Sequence, residues 1–309
     1  MLLVEKYRPN SLENIVLNPS IREKISSFIE KKSVPNLILY GKAGTGKTSL
    51  VNIIIKELGA DYESYNASEQ RGIDVIRDEI MPFVDKVSMT NAMKIVDLRE
   101  AEELTPNAQK ALKDIIESNS EDTRFIFTTN NVGKIIPEII SRCEVLHIEP
   151  NDNKEVARHL WSNVILAENI EADKKDVMAL VNRYFPDIRR MIMSLEASIS
   201  NNTYTFDHKE TSSDIYTPIF ELLENFYSTP KNEKNLILTY KNIRPLLLSF
   251  SELQLLSFYT ELNNWVDDNL SVNKLVYAKI LISSYAFKFN TQIDKEMNTS
   301  ALILELLNL

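Results

Sequence analysis

With a single cysteine, Cys143, the chain can form no internal disulfide. His147, His159 and His208 stand at no metal-ligand spacing from it or from one another, which argues against a structural metal cluster. Long apolar runs are also missing. No stretch of 18 or more apolar residues occurs, and the start, MLLVEKYRPN, reaches charge and proline too soon for a secretory leader. The expectation is therefore a soluble protein with no membrane partner, retained in the compartment where it is made. Positive charge is scarce: 35 Lys and Arg face 44 Asp and Glu, a net charge of −9. A uniformly basic surface is excluded, and any contact with a polyanion has to come from a local face. Glycine is scarcer still, with six residues, three of which (Gly41, Gly44 and Gly46) crowd into one short stretch.

What remains is a globular mixture, 44% hydrophobic and 26% charged, and 309 residues predict two or three domains. The apolar run 36–40 stops at Gly41, and 49–58 has helical spacing closed by Gly59. Further strand-like runs lie at 92–96, ending in acidic residues, and at 124–129, ending in Asn130-Asn131. Strands alternating with helices predict an α/β fold with a mostly parallel sheet covered on both faces. Beyond Pro150 the strand signal fades, and 154–168, 173–184 and 188–199 read as amphipathic helices. A polar stretch, 200–213, reads as a linker, and 215–309 is again helical in pattern. Boundaries near 150 and 212 give a sheet domain (1–150), a small helical lid (151–212) and a C-terminal helical domain (213–309).

The glycine cluster has a chemical reading. Gly41-Lys42-Ala43-Gly44-Thr45-Gly46-Lys47-Thr48 is a Gly-x-x-x-x-Gly-Lys-Thr loop between a strand and a helix. Its glycines let the backbone curl so that N–H groups face phosphate oxygens at a helix N-terminus. Lys47 is placed to reach the β and γ phosphates of ATP, and Thr48 supplies a hydroxyl for Mg²⁺. Hydrolysis also calls for carboxylates at the end of a neighbouring strand, where Asp97 and Glu100 are the candidates. Thr105 and Pro106 suit the cap and first position of the following helix.

The flanking residues narrow the reading. Glu5-Lys6-Tyr7-Arg8-Pro9, the run from Asn66 to Asp74, Ser141-Arg142-Cys143 and Phe185-Pro186-Asp187-Ile188-Arg189-Arg190 resemble the AAA+ clamp-loader small subunits, in the family's order over roughly 4–195. These are the replication factor C small subunits and the ATPase subunit of the tailed-phage loader. The resemblance implies an AAA+ P-loop domain, a helical lid and a helical collar. It further implies an ATPase working in a pentameric ring with other loader subunits, opening a sliding clamp and closing it around primer–template DNA. The compartment follows the source: a prokaryotic cytoplasm, or a nucleus.

Residue by residue, the resemblance assigns nucleotide contacts to the phosphate loop and Ser49, and to Tyr7, Arg8, Pro9, Ile15, Val16 and Arg189. It makes Arg142 the finger completing a neighbour's ATP site, Asn130 the residue positioning the attacking water, and Glu100 the catalytic carboxylate. Arg189 reaches the γ-phosphate from the lid, with Arg190 its competitor. Arg71, Gly72 and Ile73, with Thr105 and Asn107 at a second helix start, are assigned to the DNA backbone. Plain readings stand beside these: a surface ion pair for Arg142, a turn residue for Asn130, a loop charge for Arg71. Gln109 is either a coupler between DNA and nucleotide or a satisfied helix glutamine. Ile80 to Val84 either faces the clamp or lies in the core.

One position departs from the family. In the ungapped register Arg99 stands where the metal-side aspartate is expected, while Asp97 lies two residues earlier on the same strand face. Three readings stay open: slow hydrolysis with Asp97 and Glu100, normal hydrolysis after a shift of register, or a subunit that binds ATP and scarcely turns it over. Two wider alternatives are a DNA-acting AAA+ motor such as a branch-migration helicase, and a non-enzymatic ring subunit.

Overall fold

The computed structural model describes residues 1–86, 93–119, 121–206, 212–230, 232–289, 291–292 and 294–309. Ala92 of the expected strand, His208, and 207–211 of the expected linker lie outside the described residues.

Five strands, β1 (Leu37–Tyr40), β2 (Asp61–Asn66), β3 (Lys94–Arg99), β4 (Thr123–Thr129) and β5 (Glu144–His147), form one parallel sheet in the order β2-β3-β4-β1-β5. Side chains alternate between its faces, and both faces are apolar because helices cover both. Leu37, Leu39, Ile95 and Ile126 pack into one core with α1 (Pro19–Glu30) and α2 (Lys47–Leu58). Ile38, Val96, Leu98, Phe125 and Phe127 pack into the other with α3 (Pro106–Ser118). The helical stretch from Ile73 to Asp85 lines that second core, burying Ile80, Phe83 and Val84 while Met81 stays exposed. Of Ile80 to Val84, Ile80, Phe83 and Val84 lie in the core, while Met81 and Pro82 are exposed.

The lid consists of α4 (Asn153–Leu160), continued by a π turn at Trp161–Ile165, then α5 (Lys174–Tyr184) and α6 (Ile188–Ala197). It also holds a three-stranded sheet of two-residue strands, β6 (Glu171–Ala172), β7 (Ile199–Ser200) and β8 (Thr203–Tyr204), in the order β6-β8-β7. Pairs this short leave no periodicity in the sequence; β8 lies inside the stretch 200–213 expected as a linker, and that part of the reading is corrected here. The chain divides into two compact units, 1–206 and 207–309. The expected boundary near 150 falls inside the first unit because Val16 shares the lid's core, with Leu3, Val4 and Tyr7 packed against it.

The second unit is all helical: α7 (Ser212–Ser228), α8 (Glu233–Leu248), α9 (Glu252–Asn269), α10 (Val272–Phe289) and α11 (Lys295–Asn308). Its apolar core encloses one polar cluster. Asn298 donates to Tyr259 Oη at 2.8 Å and to the Tyr285 carbonyl at 3.0 Å, which satisfies a side chain that would otherwise be costly to bury. No helix among the described residues is long and apolar enough to cross a membrane.

Candidate nucleotide site

The site begins where β1 ends. Gly44 and Gly46 adopt left-handed backbone, φ 73° and 94°, and Gly46 caps the start of α2. Only glycine takes such angles without strain, and a Cβ on Gly44 would run into the Asp187 carboxylate of the lid. The curl aims the first N–H groups of α2 outward as an anion cradle. Lys47 Nζ is held across the loop, donating to the carbonyls of Gly41 (2.9 Å) and Lys42 (2.8 Å) and to Asn130 Oδ1 (3.0 Å). Partial burial pushes its pKa below the ordinary lysine value, countered first by the charge of Glu102.

A cleft of roughly 440 Å³ opens beside this loop, a size suited to a small ligand. From the phosphate loop come Gly44, Thr45 and Gly46 and from α2 Ser49, and the N-terminal segment adds Tyr7, Arg8, Pro9, Ile15 and Val16. The lid adds Arg189. Apolar walls from Ile15, Val16, Ile188 and Ile192 suit a flat base, and the phosphate loop closes the polar end. Arg190 instead stacks over the Tyr184 ring at 5.1 Å, so the two competing arginines have different surroundings.

His159, Ile188, Ile192 and Met193 also line the cleft and were not singled out from sequence. Ile192 and Met193 fall three and four residues after Arg189 on α6, a helical spacing visible in the sequence. His159 carried no such signal. Burial, aided by the charge of Arg22, lowers its pKa, and its Nδ1 lies 3.0 Å from the Asn163 amide.

At the end of β3 the carboxylates separate into two environments. Asp97 is fully buried; its Oδ2 accepts from Arg99 Nε at 2.7 Å and from Ser64 Oγ at 2.9 Å, while Oδ1 has no hydrogen-bond partner among the described residues. Burial raises its pKa, outweighing Arg99 and Ser64. Arg99 reaches on to Asn52, one turn along α2 from Thr48. Glu100 is exposed, in a left-handed conformation with φ 52°. Glu102, within the 3₁₀ turn Ala101–Glu103, accepts from the N–H and the Nδ2 of Asn130. Burial is the largest single influence and works against its charge, but the hydrogen bonds it accepts, the Asn130 backbone N–H first and the Thr129 and Asn130 side chains after it, together hold its pKa below the usual carboxylate value.

The phosphate cradle and its lysine fit a nucleotide polyphosphate. Among the described residues no group of three or more His, Cys, Asp and Glu forms a metal cage, as suits an ion that keeps its waters and binds through phosphate. Thr48 and the free oxygen of Asp97 are oxygen donors of the hard kind magnesium prefers.

The remaining assigned residues lie outside the cleft. Arg142 donates to the Glu138 carbonyl at 2.6 Å and to Ser141 Oγ at 3.2 Å, and pairs with Glu117 on α3. Burial pushes the neighbouring Cys143 thiol up to about 12, which leaves it unreactive. Arg71 and the second helix start come together: the Thr105 N–H donates to the Arg71 carbonyl at 3.0 Å, and Arg71 faces Glu103 at 3.5 Å. Gly72 is extended and Ile73 opens its helix. Thr105 Oγ1 caps α3 by accepting from Ala108 N, beside exposed Asn107. Gln109 is buried and satisfied, donating to the carbonyls of Leu104 and Lys134 and accepting from Ile136 N.

Residues 37–150 match the AAA family, the ATPase family associated with various cellular activities. The replication factor C small subunit of Halobacterium salinarum is 35% identical over 252 residues, 78% of this chain and 78% of that one. Mouse replication factor C subunit 5 is 34% identical over 254 residues, covering 79% and 73%. In structure, the Thermotoga maritima RuvB Holliday junction branch migration motor aligns with a TM-score of 0.54 at 14% identity, covering 77% of this chain and 85% of that chain, a likeness of fold alone. With a third of its residues shared along most of both sequences, this chain belongs to the replication factor C small-subunit family of AAA ATPases.

Proposed function

We propose that the chain is an ATPase subunit of a pentameric sliding-clamp loader: ATP binding opens the clamp, and hydrolysis releases it around primer–template DNA. The observation that carries the intersubunit part is the position of Arg142. It is a partly exposed guanidinium held by Glu117, Glu138 and Ser141, and it does not line the chain's own cleft. That position outside the chain's own cleft supports a role in completing a neighbour's ATP site.

In this reading Lys47 leaves its carbonyl partners for the β and γ phosphates, and Thr48 and Asp97 are the residues that would hold magnesium. Glu100 polarises the attacking water, Asn130 orients it, and Arg189 closes the lid onto the γ-phosphate. Bound magnesium supplies charge neutralisation on the phosphates. Arg71 and the start of α3 follow the DNA backbone without regard to base sequence. In the second unit Val272, Val276, Ile280 and Phe287 are exposed along one face of α10, an apolar stripe suited to ring assembly. Hydrolysis stimulated jointly by clamp and primed DNA is the expected result. Duplex unwinding without clamp dependence would replace this reading with the helicase.

A further inference from the structure

The turn after β3 carries Glu102 toward the phosphate loop. Glu100 takes its left-handed backbone immediately before the 3₁₀ turn, a conformation that strains a residue with a Cβ and persists where the surroundings require it. As a result Glu102 Oε1 accepts twice from one residue, from the Asn130 N–H at 3.0 Å and from its Nδ2 at 2.8 Å. A carboxamide fills the same space either way round, so its partners decide its orientation. With Nδ2 turned to the carboxylate, Oδ1 faces Lys47 at 3.0 Å. Glu102 is also the carboxylate whose charge acts most strongly on Lys47.

Lys47 has to exchange partners when phosphate arrives, and Asn130 then loses the ammonium that its oxygen holds. The contact that remains to fix Asn130 is Glu102. We propose that Glu102 is a positioning residue for ATP hydrolysis, locking the Asn130 carboxamide in one orientation as Lys47 turns from the loop to the phosphates. The inference rests on the ATPase reading above. It places beside the phosphate loop a carboxylate different from both Asp97, which Arg99 engages, and exposed Glu100.

The test compares the full chain with Glu102→Ala, Glu102→Gln, Asn130→Ala and the Glu102→Ala/Asn130→Ala double variant. Affinity for MgATP and single-turnover cleavage with protein in excess are measured separately. Glu102→Ala should slow cleavage about tenfold or more while affinity changes less than about threefold, the pattern of a lost transition-state contact. Glu102→Gln, which keeps an oxygen acceptor, should recover most of the rate, and the double variant should be no slower than Asn130→Ala alone. Losses that multiply in the double variant would overturn the proposal. A chain that binds ATP without cleaving it contradicts the ATPase reading and leaves this one to a second measurement, hydrogen exchange of the Asn130 side-chain NH₂ by NMR. Protection in the wild type and Glu102→Gln but not in Glu102→Ala supports the lock; equal exchange in all three refutes it.

Discussion

Arg99 Nε donates to Asp97 Oδ2 at 2.7 Å, pairing two residues that stand on the same face of β3 and whose carboxylate is fully buried. We propose that the position of the family's metal-side aspartate carries here a cation, bound to a carboxylate two residues earlier. Removing one partner of such a pair leaves a buried charge uncompensated.

Arg99→Ala is therefore expected to destabilise the first unit by about 1–3 kcal/mol near pH 7.5, the cost of an unpaired buried group tempered by the remaining Ser64 bond. The sign with pH follows from Asp97, whose folded-state pKa is already raised by burial and rises further without Arg99. The penalty is present above that folded pKa and relieved below it, as the carboxyl takes a proton. Urea unfolding at pH 7.5 and 5.5 should show the deficit shrinking at the lower pH. A deficit that grows on acidification would contradict the assignment.

Gly44→Ala adds a Cβ where the backbone is left-handed and the Asp187 carboxylate lies against the loop. Its effect should fall on stability, by about 1–2 kcal/mol, and on nucleotide affinity, since the lid has to shift away from the loop. Calorimetric titration with ATP and thermal unfolding read the two effects. Wild-type affinity would show that the lid does not close on Gly44.

Arg142→Ala separates the two roles of one guanidinium. Because the Glu117 pair is partly exposed, stability should change by less than about 1 kcal/mol. ATP binding by the isolated chain should be unaltered, while hydrolysis in the assembled ring falls by at least about a hundredfold, as for other arginine fingers. Full ring activity in the variant would remove Arg142 from the mechanism.

Arg71→Ala should weaken primer–template binding equally across base sequences and lower the slope of log affinity against log salt by about one. Fluorescence anisotropy on two unrelated primer–templates at several salt concentrations measures both. A sequence-dependent loss would mean that Arg71 reads bases.

How far the sequence reached can be judged from particular residues. The phosphate loop was fully legible, because Gly44 and Gly46 mark backbone angles that other residues avoid, and a strand and helix flank them at the expected spacing. Thr105 and Pro106 likewise announced the start of α3, since capping is a local hydrogen bond. The lid's two-residue strands were not legible, because pairs so short have no period. His159 carried no signal either, since its place in the cleft depends on how the lid packs.

The sequence by itself determined the parallel sheet, the phosphate loop and the family, because each is written in local spacing or in ordered motifs along the chain. Tertiary structure alone decided which carboxylates meet which cations. Asp97, Glu100 and Glu102 lie within six residues of one another, yet one is buried against Arg99, one is exposed, and one is turned onto Asn130 beside Lys47. That division follows from strand pairing, a left-handed turn and the packing of β4 beside β3, and spacing along the chain encodes none of these.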